Sequence, residues 1–518
     1  MQRRDFLKFG LTGLATVAVG SMSGWPSFLN ASRAFASTAG RAHLHLDMVE
    51  ADAEMVDGVQ VPMWAFKLAG SDHSHPAGGA RIPGPAIVAL EGERIHLTLS
   101  NHIRQGGAHG FAIPGVPLTA NGQLLTHVTV PEDEEPIEIM FTAPAAGTYM
   151  YFDPLNAPVN RVMGLHGALV VLPNPVVNNT PYSGLSSGSA IQRLFDDLGT
   201  TAHFPGNPWD PTRNAVWILN TIDPEKAEAA TDDDDPLAPQ SFLNGFLPQY
   251  FTLNGKSGFF SAQHSHGDPD EGGDHSHAFG ENQLPLTERL FDVQGNVSIR
   301  GTVGQPIVIR SLNAGLMWHS PHIHGNHVYT LTHSNALAGS RAILDNLTMV
   351  DTWTLAPGDI KDVLLPFIQP PDIPQAVWPP QQELFPLVYP MHDHNEISNT
   401  AAGGNYPQGM ATHWQIDGPF DPADPATAVI TITRADLRVR TGQLILEGRC
   451  TVPNIHLDVH GGSGQVINNR IQVDANGRFE FRGRALKALA SRFITMMHHD
   501  ENDSAVVHAI RSVPLRLR

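Results

Sequence analysis

Trp318-His319-Ser320-Pro321-His322-Ile323-His324-Gly325-Asn326-His327 is the stretch that decides the expected architecture, and Met391-His392-Asp393-His394 is its distant companion. Alternate side chains of a β-strand point to the same face, so each His-x-His pair directs two imidazoles the same way. If the two segments meet, four imidazoles surround one point, and imidazole is a ligand for Cu, Zn, Ni and Fe. The pattern therefore predicts a metal site in a β-domain.

The composition favours a folded β-protein and argues against nucleic acid as a partner. The chain has 518 residues, 41% hydrophobic and 16% charged, with 48 Gly and 41 Pro. Many turns and few amphipathic helical repeats indicate an all-β chain of several domains. With 51 acidic against 32 basic residues, it is poorly suited to bind nucleic acid or an anionic membrane surface. Its one cysteine, Cys450, rules out an intrachain disulfide and is interpreted as a small buried residue.

The N-terminus has the features of a twin-arginine export signal. Arg3-Arg4 is followed by an apolar stretch from Phe9 to Gly20 and then by Ala34-Phe35-Ala36, a small-x-small cleavage pattern. The apolar stretch is too short to span a bilayer. Residues 1–36 are therefore predicted to be a signal for export to the periplasm or the extracellular space, and the protein is not expected to be integral to the membrane.

The rest of the chain divides into three β-domains. Short β-branched and aromatic runs separated by turns predict β-sandwiches at 41–173 and 215–418, joined by a linker at 174–214 with a short helix near 190–198. A Pro/Asp segment then leads to a small immunoglobulin-like sandwich at 426–518. Histidine-bearing runs at 73–75 and 264–277 are interpreted as solvated low-complexity loops.

Several motifs resemble those of the multicopper oxidase family over residues 42–418. His319-x-x-His322-x-His324-Gly325 looks like a copper motif of that family, and His392-Asp393-His394 resembles its last one, which is usually His-Cys-His. The segment Gly164 to Leu169 matches the end of the family's first domain. The resemblance implies an all-β fold of tandem cupredoxin-like β-sandwiches, to which this chain adds a C-terminal immunoglobulin-like β-sandwich.

Departures from the family pattern shape the functional expectation. The resemblance implies a Cys at position 393 and a His at position 398, where this chain has Asp393 and Ser398. His319 matches the remaining ligand of the family's blue copper, and Met410 is a candidate for its axial place. A carboxylate cannot replace a soft thiolate, so no blue copper is expected. Ser398, with Glu396, is expected to fill the vacated space through hydrogen bonds.

The first domain also departs from the family's copper-binding scheme. His109-Gly110-Phe111 keeps one His of an expected pair, and Phe152-Asp153-Pro154 keeps none. Copper is the expected cofactor, in a number below the family's full set of four. The candidate metal ligands share an imidazole side chain and are His322, His324, His392, His394, His319 and His109.

Three functions are compatible with these residues. The first is an exported copper-binding oxidoreductase with a reduced, His-only site that meets its substrate directly. The second is a copper-free scaffold of the cell envelope with the same fold, for which the lost ligands argue. The third is metal buffering, in which the histidine-rich loops matter most. A metal ion is the expected partner, together with an unspecified small molecule or protein; the oligomeric state is left open.

Overall fold

A computed structural model describes residues 41–517, except for residues 69–80, 106, 133–134, 174–179, 186–187, 210–212, 232–236, 263–289, 292, 294–296, 371, 379–384, 421–429, 439, 462–465, 485–492 and 500–506. The predicted signal at 1–36 and the histidine-bearing runs at 73–75 and 264–277 lie outside the described residues. Strands dominate within the described ranges, which confirms the all-β prediction.

The first sandwich is built from two facing sheets. Its strands are β1 (Arg41–Glu54), β2 (Gln60–Leu68), β3 (Ala86–Leu90), β4 (Arg94–Asn101), β5 (His109–Phe111), β6 (Leu118–Ala120), β7 (Gln123–Leu125), β8 (Val128–Val130), β9 (Ile137–Thr142), β10 (Gly147–Phe152) and β11 (His166–Leu172). One sheet has the order β2-β1-β4-β9-β6-β7, the other contains β10-β11-β3, and β5 pairs with β8. On β4, Ile95, Leu97 and Leu99 alternate into the core, as the two-residue strand period requires.

The second sandwich follows the same plan. Its strands are β12 (Asn214–Ile222), β13 (Tyr250–Leu253), β14 (Leu290–Phe291), β15 (Ile299–Gly301), β16 (Ile307–Asn313), β17 (Pro321–Ile323), β18 (Val328–Thr330), β19 (Thr332–Asn335), β20 (Ser340–Ile343), β21 (Met349–Val350), β22 (Asp359–Leu365), β23 (Leu387–Asp393) and β24 (Ala411–Ile416). One sheet runs β13-β12-β16-β22-β18-β21, with β19 and β20 at its side, and the other runs β15-β24-β23-β17. Strand β14 instead joins the first sandwich, beside β3.

The C-terminal sandwich has a separate core. Its strands are β25 (Ile430–Arg438), β26 (Gln443–Cys450), β27 (His456–Gly461), β28 (Val466–Gln472), β29 (Arg478–Arg484), β30 (Phe493–His499), β31 (Val507–Pro514) and β32 (Arg516–Leu517). They form the sheets β29-β26-β25-β32 and β28-β27-β30-β31. Cys450 is buried in this core, as predicted, and burial raises the pKa of its thiol to about 11.

Helices are short and few in the described ranges. They are α1 (Val159–Val162), α2 (Ala190–Asp197), α3 (Pro224–Thr231), α4 (Pro239–Leu243) and α5 (Gly258–Ala262), with 3₁₀ turns at Gln375–Val377 and Glu396–Asn399. None of them has both the length and the apolar character needed to cross a bilayer. Helix α2 confirms the helix predicted near 190–198, and the Oγ of Ser189 accepts the N–H of Gln192 as its N-cap.

The segment between the first two sandwiches packs tightly onto the second. Ile191, Leu194 and Phe195 lie on one face of α2, at the spacing of an amphipathic helix. Together with Trp209, they share a hydrophobic cluster with Val308 and other buried residues of the second sandwich. The segment is therefore an integral layer of the fold and more than a connector.

The first two sandwiches share a hydrophobic core. Residues of β3, β10 and β11 pack against residues of β12, β16 and β22 in one buried cluster. Because this cluster covers the second face of β11, every residue of that strand is buried, and the strand reads as a continuous apolar run. The interface between the two sandwiches is therefore a second core of the same chain.

A buried ion pair lies within this interface. The Nη1 of Arg310 on β16 is 2.7 Å from an Oδ of Asp362 on β22, and neither side chain is exposed. The Asp362 carboxylate also accepts hydrogen bonds from Thr148 of the first sandwich, at 2.6 Å, and from Tyr182 of the connecting segment, at 2.7 Å. One carboxylate thus ties together three parts of the chain.

Replacing Arg310 by Ala should lower the free energy of unfolding by about 3–5 kcal/mol, because the Asp362 carboxylate would stay buried without its counter-charge. Arg300→Ala is the matched control, since its pair with Asp417 is about 30% exposed on both sides. That pair should contribute less than about 1 kcal/mol. Urea unfolding followed by tryptophan fluorescence measures both changes, and equal losses in the two variants would contradict the assignment.

Candidate metal centre

The two His-x-His segments meet as neighbouring antiparallel strands. Strand β17 pairs with β23 so that Pro321 lies opposite Asp393, His322 opposite His392, and Ile323 opposite Met391. Directly opposite residues of an antiparallel pair point to the same side of the sheet. The register therefore places the His322 and His392 side chains together on one face, while Ile323 and Met391 enter the core on the other.

Backbone hydrogen bonds position the second histidine of each segment just beyond the paired residues. The N–H of His324 donates to the carbonyl of Pro390 at 3.0 Å, and the N–H of His394 donates to Ser320 at 2.9 Å. Gly325 then turns the chain with a φ of +75°. A Cβ on this glycine would lie 2.4 Å from the Tyr389 ring, so the turn accepts no larger residue without rearrangement.

Four imidazoles converge at this point and are called here the imidazole cluster: His322, His324, His392 and His394. The centroid of the His322 ring lies 4.6 Å from that of His324, 5.3 Å from that of His392 and 4.4 Å from that of His394. One ring nitrogen from each of His322, His392 and His394 lies within 4.8 Å of the others. The structure therefore brings together the four histidines of the paired motifs.

Hydrogen bonds determine which nitrogens face inward. The Nδ1 of His322 is 3.1 Å from the carbonyl oxygen of Asp351, and the Nδ1 of His392 is 3.0 Å from that of Asp393. A carbonyl only accepts, so each Nδ1 carries the proton and each neutral ring keeps its lone pair on Nε2. This is the arrangement in which a ligating histidine is oriented through its other nitrogen.

A contact between two ring nitrogens tests whether the cluster suits a metal ion. The Nε2 of His324 lies 3.1 Å from the Nε2 of His392. Because the His392 Nε2 is an acceptor, the contact needs either a proton on His324 Nε2 or a cation that both lone pairs can bind. Two adjacent Nε2 atoms beside two further imidazoles are a donor set that fits copper or another divalent transition ion.

The electrostatics of the cluster favour neutral rings for His322 and His324. Burial lowers the pKa of both His322 and His324, and the neighbouring imidazoles lower it further. The Asp351 carboxylate opposes this effect, since its negative charge raises the pKa of both rings. The net shift is downward, so protons compete less with a metal ion for these nitrogens at neutral pH.

Asp393 lies between the two cluster histidines of its strand but points into the protein. Its carboxylate accepts hydrogen bonds from His319 Nδ1 at 2.5 Å, Ser320 N–H at 2.7 Å, Asn395 N–H at 2.9 Å and Ser398 Oγ at 2.9 Å. Burial acts to raise the pKa of Asp393, but the bond and charge interaction with His319 and the two backbone N–H groups hold it below the ordinary value. The carboxylate is thus ionised, and each of its two oxygens accepts two hydrogen bonds.

The prediction that hydrogen bonds fill this space is confirmed for Ser398 and wrong for Glu396. Ser398 is buried and donates to Asp393, whereas Glu396 is exposed at the start of a 3₁₀ turn. Met410 is fully buried, and its backbone carbonyl accepts the Asp393 N–H. His319 is also buried. Its ring centroid lies 6.5 Å from that of Phe251, and its Nε2 has no hydrogen-bond partner among the described residues.

His109 occupies the corresponding position in the first sandwich. Its Nδ1 is 2.9 Å from Asp153 Oδ2, and its Nε2 is 3.1 Å from the Gln105 carbonyl. Asn160 donates to the same Asp153 oxygen at 2.7 Å, as Ser398 does to Asp393. That His109 and His319 bind metal stays a prediction; hydrogen bonds engage both nitrogens of the first and one of the second.

Sequence reasoning missed the roles of Asp153 and Asn160. Each buried Asp–His pair joins an aspartate at the end of a strand to a histidine on a distant segment, and in each case a short polar side chain adds a second donor. The available signal was the shared placement of Asp153, directly after β10, and Asp393, at the end of β23. The family resemblance implies only a histidine near position 153, so it assigns no role to the Asp153 carboxylate.

Replacing Asp393 by Ala should destabilise the metal-free protein by about 3–5 kcal/mol, since the buried donors of His319, Ser320 and Ser398 lose their acceptor. The pKa of Asp393 is lowered on folding, so its contribution is fully present above the ordinary aspartate pKa of about 3.9. That contribution disappears as the pH falls through the lower folded pKa. Chemical unfolding at pH 7 and at a series of acidic pH values measures the difference.

Glu396→Ala is the control for this prediction, because Glu396 is exposed three residues away. Its effect should stay within about 0.5 kcal/mol. A loss from Asp393→Ala no larger than this, or one that grows as the pH falls, would contradict the role assigned to the carboxylate.

Comparison with known proteins places these sandwiches in a family context. Residues 67–175 match the multicopper oxidase family model. A copper-containing nitrite reductase of Alcaligenes xylosoxydans xylosoxydans is 29% identical over 154 residues, covering 28% of this chain and 46% of that protein. A copper-containing nitrite reductase of Pseudomonas chlororaphis is 35% identical over 94 residues, covering 18% of this chain and 25% of that protein. The chain thus matches less than half the length of these relatives.

Among solved structures, the blue copper oxidase from Nitrosomonas europaea aligns with 73% of this chain and 86% of its own, at 18% sequence identity and a TM-score of 0.45. A copper nitrite reductase from Nitrosomonas europaea aligns with 73% of this chain and 94% of its own, at 15% identity and a TM-score of 0.42.

Proposed function

We propose that this chain, a divergent multicopper oxidase-like cupredoxin protein, binds copper through the imidazole cluster. It would act as an oxidoreductase without a blue copper centre. The observation that carries this proposal is the convergence of four imidazoles from two paired strands. Packing alone does not explain four adjacent imidazole rings, two of them exposed, with the Nε2 atoms of His324 and His392 in contact.

Two residues of the cluster are oriented to bind the metal ion, and the other two lie where a substrate can reach it. His322 and His392 are oriented through their Nδ1 atoms by backbone carbonyls, and both are partly buried. His324 and His394 are exposed, so a small molecule can reach the cluster from solvent. A bound copper ion would supply one-electron redox chemistry at this point. The protein would contribute a fixed set of neutral ligands and an open side for substrate.

Two observations support the absence of a blue copper centre. The Asp393 carboxylate is saturated by donors, so it offers no free oxygen toward a metal ion. Cys450 is the chain's only thiol, and it is buried in the core of the third sandwich. Electrons from a substrate would therefore enter at the imidazole cluster itself.

A copper-free envelope scaffold is the second candidate function. It is favoured by the buried Asp–His pairs, which appear in both sandwiches and join their two side chains directly by a hydrogen bond. Under that function, the imidazole cluster would be dispensable for activity. Export by the twin-arginine route to the periplasm or the extracellular space is proposed for either function, on the residues of the N-terminal signal.

The variant His322→Ala/His392→Ala should lose the copper bound by the imidazole cluster, because it removes the two ligands that the backbone orients. We expect purified protein, loaded with copper and desalted, to hold fewer than three copper ions per chain by mass spectrometry, with no intense absorption near 600 nm. The double variant should hold at least one ion fewer. His333→Ala is the matched control: it removes a half-exposed histidine of the same sandwich that is paired with Asp359.

Equal copper content in the wild-type protein and the double variant would overturn the assignment of the cluster. An intense blue band would overturn the absence of a thiolate centre. A stably folded double variant with undiminished function in the producing cell would instead favour the scaffold, because the cluster would then have no role in what the protein does.

A further inference from the structure

A second group of histidines lies on the outer face of the first sandwich. Along β1, Leu44, Leu46 and Met48 are buried in the core. His43, His45 and Asp47 alternate with them and point outward, as the strand period requires. The outer face of this strand therefore carries two imidazoles and a carboxylate at regular spacing.

The neighbouring strand adds to this group. Strand β4 runs parallel to β1, with His96 beside His43, Thr98 beside His45 and Ser100 beside Asp47. The next outward position is His102, whose N–H donates to the carbonyl of Met48 at 2.8 Å. This backbone bond extends the pairing of the two strands and brings the half-exposed His102 ring next to Asp47.

The three side chains at this end share one oxygen atom. Asp47 Oδ1 lies 3.3 Å from His45 Nε2 and 4.0 Å from His102 Nε2, and His45 Nε2 is also hydrogen-bonded to Ser100 Oγ at 3.0 Å. Ligands bound at about 2.0–2.2 Å to one ion lie roughly 3–4 Å from one another, so the two oxygen–nitrogen separations suit a shared cation. The two imidazoles must rotate toward each other to join it. His45 and His102 are both about half exposed. Small side-chain rotations can therefore bring their nitrogens toward a common point.

We propose that His45, Asp47 and His102 form a second site for a divalent first-row transition-metal ion, separate from the imidazole cluster. Two imidazoles and one carboxylate are a donor set that such ions accept. The site lies on β1 and at the end of β4, in the first sandwich, whereas the cluster lies on β17 and β23 of the second. As exposed ion pairs alone, these contacts would contribute little to stability.

The adjoining row of the same face has compatible chemistry. The His43 and His96 rings are 6.5 Å apart between centroids. Met140 on β9 lies opposite His96, and its thioether side chain is exposed. Imidazole and thioether are ligands of copper, so Cu²⁺ is the first probe ion to use at this face.

The test uses full-length, untagged protein that carries His322→Ala/His392→Ala, so that the imidazole cluster contributes no binding. Cu²⁺ is titrated into this background and into the same background with His45→Ala/His102→Ala added. The added pair should remove one equivalent of bound Cu²⁺, or weaken its binding by roughly tenfold or more. Electron paramagnetic resonance of the background should show nitrogen hyperfine coupling that the added pair removes.

His127→Ala is the matched control, since it removes an exposed histidine of the same sandwich and should leave the titration unchanged. The histidine-bearing runs at 73–75 and 264–277 are the same in every variant, so they cancel in the comparison. Asp47→Asn is a further variant that keeps the size of the side chain and should weaken binding in the same direction.

Identical titrations with and without His45 and His102 would overturn the second site, whatever the state of the imidazole cluster. If the cluster substitutions prevent folding, the His45→Ala/His102→Ala pair in the otherwise unchanged chain should lower the bound Cu²⁺ by one equivalent. No change there would equally overturn the proposal. Loss of copper only on substituting His322 and His392 would leave the cluster assigned and the outer site refuted.

Discussion

The register between β17 and β23 is the constraint on which the metal centre depends. It places His322 directly opposite His392 and, through the adjoining residues, assembles the imidazole cluster. Since side chains alternate along a strand, a slip of one residue would turn His322 into the core and expose Ile323. The buried positions of Ile323 and Met391 oppose such a slip. The hydrophobic core therefore fixes the geometry of the polar site, and no contact among the histidines is needed to set it.

Asp393 acts as a hydrogen-bond acceptor at a position where the family resemblance implies a cysteine thiolate. Its carboxylate gathers donors from three segments: His319 and Ser320 before β17, Asn395 after β23, and Ser398 in the following turn. It stabilises the loops next to the cluster, and the proposed metal ligands are the imidazoles alone. The first sandwich repeats the arrangement with Asp153, although its described residues include no comparable imidazole cluster. The Asp–His pair is thus a structural element in its own right.

Much of the fold could be predicted because strand alternation is a local property. Runs such as Arg94 to Leu99 appear as strands in the structure, and the facing histidines of each His-x-His pair follow from the same rule. The hydrogen bonds of His319 and Ser320 to Asp393 could not be predicted, since these two residues lie 74 and 73 positions away along the chain. The outer group of His45 and His102 was missed for the same reason, because only strand pairing brings these residues together. The segment around α2 was misleading in another way: its Asn, Pro and Ser content concealed the few apolar residues that attach it to the second sandwich.

The interface between the first two sandwiches has a consequence for the integrity of the molecule. Apolar residues of both halves are buried in one cluster, and the Asp362 carboxylate binds Thr148, Tyr182 and Arg310 from three parts of the chain. The halves are therefore joined by non-covalent contacts as well as by the peptide backbone. A protease that severed the connecting segment would leave two fragments that remain associated, and a gel under native conditions would still show a single species.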